Sequence, residues 1–288
     1  MKFSVIVASY KQKQYIFDAL QSIFDQQAPF SFEVIVVDSS CDDTAELVKE
    51  RFPQTVVIAL TERAYPGAAR NHGIRAARGE ILAFTDTDCI VDRRWLRELD
   101  RAHEKGYPVV GGLVKNGTPY SITGTLDYLI ECTELMTPYA TTGKDHLGTG
   151  NVSFLRSVVD RYGLFADQVK GSDNMYFRRI HTAGQVLYWE PRAVVWHRNR
   201  TSLRKVLKNQ YELGVGAAIN RKQHAVRGKI FVEHPVFIPL IPLVRIFTIG
   251  GRIFRYSLFN FLKFVLLMPL VILCLAYYAV GFYRGVRG

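Results

Sequence analysis

Cysteine is scarce in this 288-residue chain. Cys41, Cys89, Cys132 and Cys274 stand singly, with no C-x-x-C pair and no histidines at zinc spacing. That excludes a disulfide framework or a cysteine-rich metal module and fits free thiols in a reducing compartment. No G-x-G-x-x-G follows the first apolar run; Gly67, Gly73 and Gly79 lie six residues apart, which fails the spacing of a dinucleotide loop. Met1-Lys2-Phe3-Ser4 leads straight into a strand pattern, without the charged start, apolar core and cleavage site of a secretory signal, so the catalytic part is expected in the cytoplasm. Acidic residues are nearly missing from the C-terminal third. Residues 198–288 hold 15 of the 37 Lys and Arg but only Glu212 and Glu233, a net +13, which leaves −2 for residues 1–197. The overall +11 therefore belongs to a tail with long apolar runs, and that pairing points to an anionic membrane surface in preference to nucleic acid.

What is present begins with an alternation. Short β-branched runs at Phe3 to Ala8, Glu33 to Val37, Thr55 to Leu60 and Ile81 to Phe84 read as buried strands, and segments of helical period at 14–26, 43–51 and 67–77 separate them. Strand and helix in alternation predict an α/β fold, a mainly parallel sheet with helices on both faces. Ligands of such sheets collect outside the carboxyl ends of the strands, where this chain carries Ser9-Tyr10, Asp38-Ser39-Ser40 and Asp86-Thr87-Asp88. Two carboxylates at i and i+2 after a buried strand suit a hard cation such as manganese or magnesium, which offsets the charge of a diphosphate. Acidic turns at strand ends are also commonly no more than solvated. Further on, Val109 to Gly112 predicts a strand, 124–136 a helix, 143–150 a loop, 173–183 a helix, and Val186 to Trp189 and Ala193 to His197 two short strands.

Four blocks then occur in order: Ser4-Val5-Ile6-Val7-Ala8-Ser9-Tyr10, Val34-Ile35-Val36-Val37-Asp38-Ser39-Ser40, Gly67-Ala68-Ala69-Arg70-Asn71-His72-Gly73-Ile74 and Gly79-Glu80-Ile81-Leu82-Ala83-Phe84-Thr85-Asp86-Thr87-Asp88. Together they resemble glycosyltransferase family 2, the inverting enzymes of the GT-A nucleotide-diphospho-sugar transferase fold, over about the first 200 residues. The resemblance implies nucleotide-sugar contacts for Ser9, Tyr10, Asp38, Arg70 and Asp86, a divalent cation at Asp88, and a hexosyl transfer; the tail, by holding the site at a membrane, adds the expectation of a lipid-linked or glycan acceptor. It also implies a general base in an acidic pair after a Gly/Asn turn. Here the turn is Gly148-Thr149-Gly150-Asn151 and the pair is reduced to Ser172-Asp173, making Asp173 the expected base. A histidine at the end of a late strand often completes the metal or diphosphate site in that family, which gives the role to His197.

Plainer readings stand beside these. Asp38 caps a helix beginning near Asp43, Arg70 is a surface ion pair, Asp173 is an N-cap, His197 is structural, and Trp95, Trp189 and Trp196 are core. The second block is one residue short of the family pattern, which leaves Asp42 and Asp43 unassigned. Arg198 and Arg200 suit phosphates or lipid headgroups equally. The chain lacks the Gln-x-x-Arg-Trp signature of processive synthases, so single transfer is expected over polymerisation. A membrane-anchored scaffold that has lost its chemistry and a nucleotidyltransferase are the competing functions.

The expected organisation is a catalytic domain over 1–200, a basic amphipathic helix and linker over 201–229 capped by Thr201 or Ser202, and a membrane-associated region over 230–288. Phe264 to Tyr283 is 20 residues without a charge, long enough for one transmembrane helix. Ile230 to Gly250 carries Glu233, Pro235, Pro239, Pro242 and Arg245, and spans, re-enters or lies in the interface. Cations on every side, from Arg227 and Lys229 to Arg284 and Arg287, leave the topology open.

Overall fold

β-branched and aromatic runs set the strands, and the computed structural model, which describes residues 1–167, 172–223 and 228–288, extends most of the expected ones by a residue or two. Lys170 and Gly171 of the acidic motif and Arg227 of the tail lie outside the described residues. The strands are β1 (Phe3–Ser9), β2 (Phe32–Asp38), β3 (Val56–Ala59), β4 (Ile81–Asp86), β5 (Cys89–Val91), β6 (Val109–Asn116), β7 (Thr141–Lys144), β8 (Asn151–Leu155) and β9 (Leu187–His197). The helices are α1 (Lys13–Phe24), α2 (Thr44–Arg51), α3 (Pro66–Ala76), α4 (Trp95–Glu104), α5 (Ile122–Glu131), α6 (Arg156–Tyr162), α7 (Ser172–Thr182), α8 (Leu203–Gln223), α9 (Ile230–Glu233), α10 (Ile241–Tyr256), α11 (Leu258–Leu266) and α12 (Met268–Arg287).

All nine strands form one sheet in the order β3-β2-β1-β4-β8-β6-β9-β5, with β7 also on β9. The first four are parallel, as the strand and helix alternation requires; β8 then runs antiparallel to β4 and β6, which makes the sheet mixed. Side-chain alternation along β1 explains the two helix layers. Phe3, Val5 and Val7 pack with Ile16, Leu20 and Ile23 of α1, Val48 of α2 and Leu96 and Leu99 of α4. Ile6 points the other way, under α3, where a Cβ on Gly73 would strike it. That second face is extended by a chain of rings, Phe84 on Phe154 at 4.8 Å and Phe165 on Tyr176 of α7 at 4.4 Å.

The chain divides into two compact units: Met1–Gly117 with Thr137–Arg198, and Thr118–Met136 with Asn199–Gly288. Residues 118–136, which sequence places inside the catalytic domain, therefore pack with the C-terminal helices. Three further differences have local causes. The two short strands at 186–197 are one strand, β9, whose register shifts opposite Gly112 and Leu113, beside Pro191, which has no N–H to give the ladder. The predicted 143–150 loop begins later, because Thr141–Lys144 pairs with β9. The uncharged stretch 264–283 is broken at Leu267 between α11 and α12, since Pro269 cannot donate to the carbonyl of Val265.

Candidate functional site

Sheet register alone gathers the first group of residues. Ser9 lies opposite Asp38, and Ala8 opposite Asp86, so the carboxyl ends of β1, β2 and β4 present these polar residues side by side. Ser9 and Asp38 are buried. Asp38 accepts hydrogen bonds from the Ser40 hydroxyl at 2.6 Å and the Ser40 N–H at 3.3 Å, and does not cap α2. The start of α2 is instead served by Asp42, which accepts from the Thr44 N–H at 2.9 Å; the Thr44 hydroxyl and N–H also hold the Asp42 carboxyl below the usual range. Asp43 pairs with Lys13 at 2.6 Å.

Arg70, from α3, is 7% exposed and donates to Asp86 Oδ1 at 2.7 Å. The surface-pair reading of Arg70 fails, because its guanidinium is buried on a strand-end carboxylate. The other Asp86 oxygen faces Gly150, where an added Cβ would stand 3.2 Å from Oδ2. Gly150 belongs to the Gly148-to-Asn151 turn, fixed to β4 by the Thr85 hydroxyl donating to the Gly150 carbonyl at 3.1 Å. In the same turn, the Thr149 hydroxyl donates to Asp173 Oδ2 at 3.4 Å. Asp173 lies in the first turn of α7, where the helix dipole favours a carboxylate. Its neighbour Ser172 is buried against Gly67, whose added Cβ would come within 2.6 Å of the Ser172 hydroxyl.

The antiparallel pairing of β5 with β9 sets Cys89 opposite His197, and Arg198 N–H donates to the Asp88 carbonyl at 2.8 Å. This brings His197 Nε2 to 3.6 Å from Asp88 Oδ1. Among the described residues, Asp88, Cys89 and His197 hold candidate ligand atoms within 4.8 Å of one another. A carboxylate and an imidazole fit a manganese-type cation that also takes diphosphate oxygens. Burial first, then the charges of Asp88 and Asp86, push the Cys89 thiol's pKa well up, so it is the soft, neutral member beside two ligands of the harder kind.

Tyr10 caps the other end of the row. The Arg63 guanidinium lies 4.7 Å over its ring and the Lys11 ammonium 5.5 Å from it. Arg63 comes from the loop after β3, which sequence reasoning passed over; with Tyr65, His72 and Arg75 it lines an open hollow of about 670 Å³ that none of Asp86, Asp88 and His197 borders. Arg198 is engaged with Asp18 at 2.7 Å, and Arg200, in the other unit, with Asp127 at 3.2 Å and Glu131 at 3.3 Å. Trp95 and Trp189 are fully buried, bonded to the Asn151 side chain and the Thr137 carbonyl, so they are core.

The Glycosyl transferase family 2 profile matches residues 4–163. Glycosyltransferase AglE of Haloferax volcanii is 29% identical over 220 residues, which cover 74% of this chain and 72% of that protein. Among solved structures, mannosyltransferase PcManGT from Pyrobaculum calidifontis, in complex with GDP-Man and Mn2+, is similar at a TM-score of 0.64 and 20% identity, over 99% of this chain and 86% of that one. TarS 1-349 of Staphylococcus aureus, in complex with UDP-GlcNAc, is similar at 0.56 and 19% identity, over 100% and 91%. At those identities the structures show a shared GT-A fold, and the matched profile shows the family. The chain belongs to glycosyltransferase family 2 and is an enzyme of the hexosyltransferase type.

Proposed function

We propose that this enzyme is an inverting glycosyltransferase that moves one sugar from a nucleoside-diphosphate donor to a hydroxyl of a lipid-linked or glycan acceptor, at the cytoplasmic face of the membrane, in cell-envelope polysaccharide or glycolipid synthesis. The observation that carries it is the convergence on one sheet edge of Ser9, Asp38, Asp86, Asp88 and His197, with Asp173 tied to the turn that presses on Asp86.

Ser9, Tyr10 and Asp38 hold the nucleoside. Tyr10 offers a ring for stacking, and Asp38, fixed by Ser40, accepts from base or ribose donors. Asp86, oriented by Arg70, holds the ribose or the sugar. Asp88 and His197 would hold the cation and through it the diphosphate. What a bound divalent cation supplies there is neutralisation of the leaving diphosphate. Asp173 accepts the proton of the acceptor hydroxyl as that oxygen attacks the anomeric carbon from the face opposite the diphosphate, which inverts the configuration. GDP-Man and UDP-GlcNAc in the neighbouring structures support a nucleotide-sugar donor, and the apolar helices α10 and α12 support membrane association. The test is transfer from a donor panel with manganese, reading the anomeric configuration of the product by NMR. A retained configuration, or full activity in Asp173→Asn, would overturn the mechanism.

A further inference from the structure

The C-terminal unit leaves an unusual amount of apolar surface outside. Helix α11 exposes Leu258, Phe259, Leu262, Val265 and Leu266, the last at 81%; α10 exposes Leu243, Phe247 at 72% and Phe254; and α12 exposes Ile272, Leu273, Tyr277 and Val280 along one side. Monomers in water do not carry a face of this size uncovered. Its rim is cationic: Arg255, Lys263, Arg284 and Arg287 flank it, Arg252 beside them is paired with Glu134, and residues 230–288 contain a single acid, Glu233. Charge and hydrophobicity together specify an anionic lipid surface.

Among the described residues, length and composition allow two helices to cross, Pro235–Tyr256 and Met268–Arg287. The packing argues against crossing. Arg245 lies midway along the first, and its guanidinium sits 4.2 Å over the ring of Tyr278, midway along the second. A bilayer traversed by either helix would carry that cation at its centre, where charge is most costly. Helix α8 adds to this. It runs beside α12 with backbones nearly touching: an added Cβ on Gly281 would strike the Tyr211 carbonyl, and one on Gly285 the Val215 carbonyl. Yet α8 exposes Arg204, Lys205 and Lys208, with Lys208 78% exposed opposite Glu212. Drawing α12 into the hydrocarbon would take these charges with it. Lastly, α11 has nine residues, about 13 Å of helix, against a hydrocarbon core of about 30 Å, and it carries the most apolar outer face.

We propose that the C-terminal unit is a monotopic anchor, with α10, α11 and α12 lying along one leaflet of an anionic bilayer, their exposed apolar side chains among the acyl chains and the flanking arginines and Lys263 at the phosphates. Helix α8 stays on the water side, and no helix crosses. This rests on the membrane-associated reading above and gives it a geometry.

Sidedness tests it. In the full chain, Arg255→Cys and Gly288→Cys are introduced singly, with the exposed native Cys41 as internal reporter, and sealed right-side-out and inverted membrane vesicles are treated with an impermeant maleimide. Both new thiols are expected to react only in the vesicle orientation in which Cys41 reacts. Reaction of either in the opposite orientation overturns the proposal, because a crossing α10 reverses residue 255 and a crossing α12 alone reverses residue 288. A second arm uses purified protein with phosphatidylcholine vesicles, with and without phosphatidylglycerol. Binding is expected to need the anionic lipid and to fall roughly tenfold or more in Phe247→Asp and Phe259→Asp, both exposed and so neutral to folding. If those variants bind vesicles unchanged but lose a dimer seen in solution, the face belongs to a second copy and the proposal fails. A chain found wholly in the soluble fraction would instead refute membrane association itself, an outcome separate from wrong sidedness.

Discussion

The two units solve the problem of buried polarity in opposite ways. In the first, Asp38 and Asp86 are carried to the edge of an apolar sheet by strand register and held by short bonds, from Ser40 at 2.6 Å and Arg70 at 2.7 Å, while α7 brings Asp173 to a longer contact with Thr149 at 3.4 Å. In the second, Glu131 gathers Arg200, Asn209 and Gln210 around itself between helices, while the apolar side chains stay outside. On the proposed mechanism the edge groups meet the donor and acceptor, whereas the interior groups join helices. Substitutions should therefore affect turnover in the first unit and attachment in the second.

The largest effect is expected at Asp173. Asp173→Asn keeps the Thr149 contact but removes the proton acceptor, and kcat should fall by about 10²–10⁴, while the lost interaction with the helix dipole should cost at most about 1 kcal/mol of stability. An equal loss of stability would make Asp173 a structural first-turn carboxylate and erase the contrast. Next comes Asp88→Ala. Manganese-dependent nucleotide binding, read by calorimetry, should weaken by more than the ~10–100-fold typical of an outer-shell change. Nucleotide binding without manganese should stay as it is, because Asp38 and Tyr10 do not depend on the cation.

Much of this contrast is legible in the residues. Asp38 and Asp86 each end an apolar run, so the expectation that they share an edge needs only a parallel sheet. The pairing of His197 with Asp88 is a different matter. It rests on β5, three residues long and too short to show a period, meeting β9 more than a hundred positions later. Arg63 was invisible for a similar reason: its place over Tyr10 depends on how the loop after β3 folds back. Arg198 and Arg200 look like phosphate ligands in sequence, yet each is claimed by a carboxylate remote in the chain. In the tail the missed feature was present all along. Pro269 interrupts the uncharged stretch, and a hydropathy sum over 264–283 does not register the missing N–H.

Acid should separate the units by a smaller amount. His103 is buried between the Tyr107 carbonyl and the Ser153 hydroxyl, each 2.8 Å from a ring nitrogen, and burial lowers its pKa from 6.5 to about 4. The unfolded chain thus takes up a proton near 6.5 that the folded chain refuses until about 4. Its contribution is full above 6.5 and is lost as the pH falls through this window, roughly 2 kcal/mol between pH 7.5 and 5. All three tryptophans, Trp95, Trp189 and Trp196, belong to the first unit, so fluorescence melts report that unit alone. The fluorescence midpoint should drop on acidification, and His103→Gln should flatten the dependence.

The smallest effect belongs to the exposed pairs of the second unit, Lys208 with Glu212 at 4.0 Å and Lys229 with Glu233 at 3.3 Å. Both are i,i+4 pairs with the lysine N-terminal to the glutamate, the weaker orientation on a helix, and both are open to water. Neutralising either by Glu→Gln should change stability by less than about 0.5 kcal/mol, a shift near the noise of a far-UV dichroism melt, and the tryptophan signal should not respond. A clear loss from Glu212→Gln would mean that Lys208 and Glu212 work in a drier place than their exposure indicates. On a bilayer, that result would put α8 below the headgroups and make the second unit resemble the first, with charges held apart from water and stabilised by their partners.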